Sequence, residues 1–175
     1  EAEKTSSQGA LKLLVWRGGK VAGAQLKLRV MGTYSDTAPY GCPKSKAVFE
    51  DACRVLEKEP LRDDLWGAVS GLALMSTGRP EHLPKVRDCA RAMARSTPKL
   101  EPRRGQGMVV WEWGYKGLFL SEYYLLTNDK EVLPAIREYT VALAKGQSVY
   151  GTFGHGLAEL APDGRRLLVR GMPAL

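Results

Sequence analysis

The apolar residues change their period twice along the chain. Leu11, Leu13 and Val15 alternate with Lys12, Leu14 and Trp16, and Leu26, Leu28 and Val30 alternate with Lys27 and Arg29. Alternation at period two predicts β-strands. Arg17-Gly18-Gly19-Lys20 between them predicts the turn of a β-hairpin over residues 11–31. Gly32–Lys46, rich in Gly and Pro, reads as a linker. Val48, Phe49, Ala52, Cys53, Val55 and Leu56 then recur at helical spacing, which predicts a helix from about Lys46 to Lys58, with Ser45 as its N-cap. In GMVVWEWGYKGLFLSEYYLL, Gly107–Leu126, the apolar residues surround nearly the whole cylinder. This stretch predicts an aromatic loop, Trp111–Tyr115, opening an inner helix buried on all sides.

From Asp63 onward the chain repeats itself. At a shift of 50 residues Thr77 meets Thr127, Glu81 meets Glu131, and Leu83-Pro84 meets Leu133-Pro134. Ala92-Met93-Ala94-Arg95 meets Ala142-Leu143-Ala144-Lys145, and Trp66-Gly67 matches Trp113-Gly114 when a three-residue gap is allowed. Asp63–Arg95 and Glu112–Lys145 are therefore expected to be two copies of one helical hairpin, each proline falling in a first helical turn. A third copy is expected to open at Gly151–Ala158, followed by a turn at Pro162–Arg165 and a strand-like Arg166–Arg170. Such a period marks stacked helical hairpins. Two and a half units barely cover a shared core, so the chain is expected to be a piece of a longer array.

The division expected is a polar, flexible terminus over residues 1–10, the β-hairpin over 11–31, the linker over 32–46 and an incomplete helical-hairpin domain over 47–175. The chain has 175 residues and is 44% hydrophobic, enough for one domain with a core or a domain with an appendage. No apolar run approaches the ~18 residues of a membrane span. The net charge is +7, but its basic residues are dispersed and cluster only as pairs. A solvated basic surface is expected, and no nucleic-acid partner. Cys42, Cys53 and Cys89 are odd in number and contain no CxxC. With two histidines to add, they do not make a zinc set, and no metal or cofactor is expected. One disulfide with a free thiol fits the count, and Cys53 and Cys89, in helix-like stretches, are expected to be buried small apolar residues.

The Trp-Gly at the head of an inner helix, the Tyr-Tyr near its end and an outer helix opening at Leu-Pro are similar to the α/α-toroid architecture, a ring of helical hairpins around a cavity. More closely, GTYSDTAPYGCPKSK, WEWGYKGLFLSEYYLLTNDKEVLPAI and ALAKGQSVYGTFGHGLA together resemble a family of uncharacterised, mostly exported bacterial proteins. In that family a PDZ-like domain precedes a helical-hairpin domain. The resemblance implies a mainly α fold, part of an α/α toroid, with residues 11–31 as the last strands of a PDZ-like unit. It also implies an exported or periplasmic location. The carboxylate-binding glycine loop of PDZ domains is absent, so peptide-tail capture is not implied. Asp63-Asp64 is a single acidic pair, so terpene-cyclase chemistry is not implied either.

Toroid enzymes place His, Tyr, Glu and Trp at the end where inner helices open. His155 stands at that end, inside Gly151–Gly156, and an imidazole is a common proton carrier. Glu112, between Trp111 and Trp113, is the matching carboxylate. His155 and Glu112 are the candidate catalytic residues, and Trp66, Trp111, Trp113, Tyr115 and Tyr123 the candidate ligand contacts. Each has an ordinary structural reading as well: a loop histidine, a glutamate favoured by the helix dipole, aromatics of a core. Two function classes follow. One is a ligand-binding or architectural domain of a larger PDZ-plus-toroid protein. The other is a fragment of a carbohydrate-active lyase or hydrolase that uses His155 and a carboxylate. The expected partners are a carbohydrate-like ligand, the remainder of the same protein, or a second copy bound through open apolar surface.

Overall fold

The computed structural model describes residues 2–3, 7–98 and 108–158, and they divide into two compact units, Glu1–Lys58 and Glu59–Leu175. The expected turn at Pro162–Arg165 and strand at Arg166–Arg170 lie outside the described residues.

The first unit holds the hairpin and one helix. Strand β1 (Ala10–Arg17) pairs antiparallel with β2 (Lys20–Lys27). Gly18 and Gly19 both have positive φ, 59° and 78°, the backbone of a two-residue turn that matches strand twist. This tight turn sets the register: Arg17 faces Lys20, Leu13 faces Ala24 and Ala10 faces Lys27. The second strand thus runs from Lys20 to Lys27, earlier than its sequence alternation over 24–30. Pairing stops where β1 stops, and Leu28 N–H adds one last bond to Gly9 O at 2.7 Å.

Helix α1 (Pro43–Lys58) starts three residues before the expected Lys46. Pro43 suits a first turn, because the N–H it lacks would have no partner there. Cys42, not Ser45, stands just before the helix, and its sulfur accepts the N–H groups of Ser35 and Ser45 at 3.4 and 3.5 Å. The Ser45 side chain first, and then these two N–H groups, pull the Cys42 thiol down to about 6. The expected apolar stripe of α1 is only partly used: Cys53 is buried, while Val48, Phe49 and Val55 stay exposed.

The second unit is the repeat. Helices α2 (Leu65–Ser76) and α3 (Leu83–Arg95) form one hairpin, α4 (Val109–Thr127) and α5 (Leu133–Lys145) the other. A single 3-10 turn precedes each outer helix, at Pro80–His82 and Lys130–Val132. Both the 3-10 turns and the outer helices coincide at the 50-residue shift. Turn chemistry explains the match. Thr77 and Thr127 each send a hydroxyl back to a helix carbonyl and accept the N–H two residues on. Gly78 and Asn128 then take left-handed conformations, φ 67° and 55°, that end the helix. Helix α2 touches α3 and α4, α4 touches α5, and α3 touches α4 and α5. The core between them includes Leu74, Val86, Met93, Phe119, Leu120 and Tyr139.

Two local expectations change. Trp111–Tyr115 is helical and belongs to α4, because one glycine costs a helix only ~1 kcal/mol against alanine. Helix α4 is not buried on all sides either: Lys116, Phe119, Leu120 and Tyr123 face inward, while Leu118, Leu125 and Leu126 are exposed.

Three glycines in these helices do different work. A Cβ on Gly67 would stand 1.7 Å from the Arg62 carbonyl oxygen, and one on Gly71 2.4 Å from the Phe119 ring. A Cβ on Gly114 would meet nothing within 4 Å. Gly67→Ala is therefore expected to destabilise the second unit by ~3 kcal/mol or more, through backbone that cannot yield. Gly114→Ala is expected to stabilise it by ~0.5–1 kcal/mol. Urea denaturation of both variants checks the pair, and equal effects would refute the assignment. The Cys42 thiol gives a second expectation. A lowered folded-state value means a stabilising contribution that is full above the unfolded thiol range of ~8.5 and is lost as pH falls through about 6. The stability gap between wild type and Cys42→Ala should shrink on acidification across that window, and a gap that widens would contradict it.

Candidate functional site

The residues that open the inner helices meet at one end of the second unit. Asp64 is the N-cap of α2: its side chain accepts the Gly67 N–H at 2.9 Å, and Arg62 pairs with its other oxygen at 3.2 Å. Asp63, beside it, reaches across to α4, where Lys116 Nζ lies 2.9 Å from its carboxylate. The same ammonium holds Glu112 at 2.7 Å, one turn earlier in α4. Lys116 is buried, with 5% of its side chain exposed, whereas both carboxylates keep contact with solvent. Burial alone would lower the Lys116 value. Its hydrogen bonds to Glu112 and Asp63 outweigh that and hold the ammonium above the ordinary lysine range. Lys116 is thus a fixed cation between two carboxylates and not a free amine.

Cys89 lies behind this cluster, with its thiol toward the Arg62 carbonyl at 3.8 Å. Burial, and then the charges of Asp63 and Asp64, push it up to about 11. A thiol so placed is no nucleophile at neutral pH. All three cysteines are free and buried.

His155 arrives from the loop after α5. Its carbonyl accepts the Val110 N–H at 3.1 Å, and Leu157 packs on Gly146. Residues 151–158, where a third hairpin was expected to open, form a loop, and the continuation lies outside the described residues. The Trp111 indole N–H donates to His155 Nδ1 at 3.2 Å, with ring centres 6.4 Å apart. A neutral ring that accepts at Nδ1 carries its proton on Nε2, and the His155 residue is exposed.

A match to a family model described as a domain of unknown function, DUF6288, spans residues 45–169. The chain belongs to the DUF6288 family. The matched stretch begins in α1 and takes in both hairpins and the His155 loop, so the helices described here are the body of a DUF6288 domain. No curated protein and no solved structure matches the chain.

The sequence-derived site residues of this DUF6288 chain are distributed unequally. His155 meets Trp111, and Glu112 meets Lys116 and Asp63; the two groups are linked only through the first two turns of α4 that carry Trp111, Glu112 and Lys116. Trp66, in the first turn of α2, is exposed. Trp113 and Tyr115 are half-buried, and Trp113, two residues from Trp111, projects from the other side of α4. Tyr123 is fully buried at the far part of α4, and its hydroxyl donates to Asp129 at 2.9 Å. Lys116 and Asp63 were missed. The available signal was a lone lysine in an apolar helix with a glutamate four residues before it, a spacing that pairs side chains on one face.

Lys116→Met tests the cluster. It leaves two neighbouring carboxylates without their cation, and a loss on the order of 3 kcal/mol is expected by analogy with broken buried pairs. The sign with pH follows from the raised lysine value. The advantage of wild type should be full below the unfolded value of ~10.4 and disappear only as pH rises above it. A variant as stable as wild type at neutral pH would show that the ammonium has no structural role.

Proposed function

We propose that the second unit is a ligand-binding section of an α/α-toroid-like array, with its ligand face at the end where the inner helices open. The observation that carries this reading is the pairing, on the first two turns of α4, of Trp111 with His155 and of Glu112 and Lys116 with Asp63. Five side chains from three separated segments line one end of the helical unit, with two carboxylates and an imidazole open to solvent beside indole faces. Hydroxyl-rich ligands are recognised by such sets: aromatic faces stack on the apolar side of a sugar, and fixed carboxylates and imidazoles take its hydroxyl protons. Glu112 and His155 would be the hydrogen-bonding pair. Trp111 is the candidate stacking face beside them, with Tyr115 one turn further along α4, and Tyr123 supports the helix that carries both.

On this reading the β-hairpin of the first unit is the end of a PDZ-like domain in a longer protein. Its register supports the idea. One face is an apolar ladder, Leu11 with Leu26, Leu13 with Ala24 and Val15 with Ala22, yet a lone two-stranded hairpin is marginal in water. A ladder of that kind needs further strands to cover it. The alternative reading, a lyase or hydrolase acting through His155 and Glu112, is less favoured, because the Glu112 carboxylate is already engaged by Lys116.

Calorimetric titration of neutral and acidic oligosaccharides separates the readings. Binding should weaken at least tenfold in His155→Ala and Trp111→Ala, as expected when ~1.4 kcal/mol or more is lost. Affinity that is unchanged in both variants, or no heat from any oligosaccharide, would reject the ligand face and leave a purely architectural domain.

A further inference from the structure

The 50-residue shift relates not only the two hairpins but also the sides of their inner helices. Helices α2 and α4 are each unbroken, so the shift that aligns Thr77 with Thr127 continues upstream without a gap. It pairs Gly67 with Gly117 and Gly71 with Ser121. The outer helices agree: Gly117 faces Tyr139, and Gly67 faces the Arg62 carbonyl that also receives Cys89, the residue 50 before Tyr139.

Where α2 meets α4, Gly71 is the socket and Phe119 fills it. Fifty residues before Phe119 stands Val69, and fifty after Gly71 stands Ser121. Positions two apart in a helix point ~200° apart. Each inner helix therefore has a filling side and a socket side, back to back. The α2–α4 contact uses one of each. Phe119, Leu120 and Tyr123 on α4 are buried, as are Ala68, Gly71 and Leu74 on α2.

The other two sides are open. On α2 the equivalents of Lys116, Phe119 and Tyr123 are Trp66, Val69 and Ala73; Trp66 is 65% exposed, Val69 37%, and Ala73 is exposed too. No residue of α2 carries a charge, which is unusual for a helix with a side in water. On α4 the equivalents of Ala68, Gly71 and Met75 are Leu118, Ser121 and Leu125, with Leu118 48% and Leu125 74% exposed. The Ser121 hydroxyl turns back to the Gly117 carbonyl at 2.8 Å, so this side presents a small residue between leucines, with the exposed Glu122 at its margin.

We infer that the chain self-associates head to tail. The Trp66–Val69–Ala73 side of one copy seats against the Leu118–Ser121–Leu125 side of the next, repeating the α2–α4 contact between molecules. The occupant is a second copy because the two open sides are the unused halves of an interface this chain already makes once. A two-fold dimer would set filling side on filling side, Trp66 and Val69 against themselves, away from the Gly71-type socket that Ser121 offers. A heterologous contact of this type grows into a ring or an open filament. The inference rests on the repeated-array reading above, but not on its ligand.

Sedimentation velocity tests it on the full chain. The average mass of wild type should rise with protein concentration past that of a dimer. Val69→Glu removes the filling side and Leu125→Glu the socket side, and neither touches the ligand face. Each alone should sediment as a monomer, while an equimolar mixture should give a species of twice the monomer mass and nothing larger. That mixture keeps one intact half on each partner, an outcome only a head-to-tail contact produces. Far-UV circular dichroism verifies folding, and Ala73→Glu, one turn along the same side, replaces Val69→Glu if the latter does not fold. A wild type that stays monomeric at every concentration overturns the inference. So does a mixture that stays monomeric. The oligosaccharide titration can be run on the monomeric variants, so failure here and failure of the ligand face are separate results.

Discussion

Gly71 has no side chain, and the Phe119 ring stands where its Cβ would be. Much of the second unit depends on that vacancy. It lets two apolar helices approach closely, which buries Phe119 completely and brings α3 within reach of both. Burying a phenylalanine side chain contributes roughly 1.5–3 kcal/mol, and interiors packed like organic crystals feel the loss or gain of a single methylene. The same approach carries Lys116 to Asp63. The charged cluster is therefore a consequence of the helix packing, not an independent clamp.

The two hairpins are also tied at the opposite end. Asp129, just past α4, accepts the Tyr123 hydroxyl and pairs with Arg91 of α3 at 3.3 Å, and Arg91 pairs with Glu131 at the same distance. Burial would raise the Asp129 carboxyl, but the Tyr123 hydroxyl, the Glu131 N–H and the Arg91 guanidinium hold it below the usual range. The ammonium of Lys116 at one end and the carboxylate of Asp129 at the other are about 20 Å apart along α4, at 1.5 Å per residue. Between them the contact is apolar. Charge at both ends and packing between is a division of labour that fixes the relative slide of the two hairpins, through Asp63 before α2 at one end and Arg91 of α3 at the other. An apolar seam alone would tolerate a shift by one turn.

The repeat was legible because its turns are built from local chemistry. Thr77 and Thr127 bond to their own neighbours, Gly78 and Asn128 adopt a conformation few residues tolerate, and Pro84 and Pro134 are admitted only near a helix start. These signals need no knowledge of the partner helix. The register of the inner helices was misread because Trp-Gly is conspicuous. Gly67 is required by the Arg62 backbone, whereas Gly114 touches nothing, so the resemblance of the two dipeptides has no shared physical cause. The start of α1 was placed late because cysteine is not among the usual capping residues, yet its sulfur receives the N–H groups that a serine oxygen would. The site was half legible. Composition could pick out His155, Trp111 and Glu112 as chemically able residues. It could not show that Asp63, more than fifty residues from Lys116, completes their cluster, because that contact is made by tertiary packing alone.

The cluster is the place where the two copies of the repeat have most diverged. At the 50-residue shift Lys116 stands where α2 has Trp66, and Glu112 stands where the chain before α2 has Arg62. An exposed tryptophan on one helix thus corresponds to a buried, doubly paired lysine on the next. Positions that only hold an array together drift toward one common solution, because each repeat meets the same neighbours. Here equivalent positions carry opposite chemistry, a wet indole and a dry ammonium, within one continuous end face. If architecture were the only demand, a hydrophobic residue at 116 would serve at least as well, since replacing a buried ion pair by apolar packing is often neutral or stabilising. A buried cation at this position, with both of its carboxylates open to solvent, is the feature on which the proposed ligand face rests.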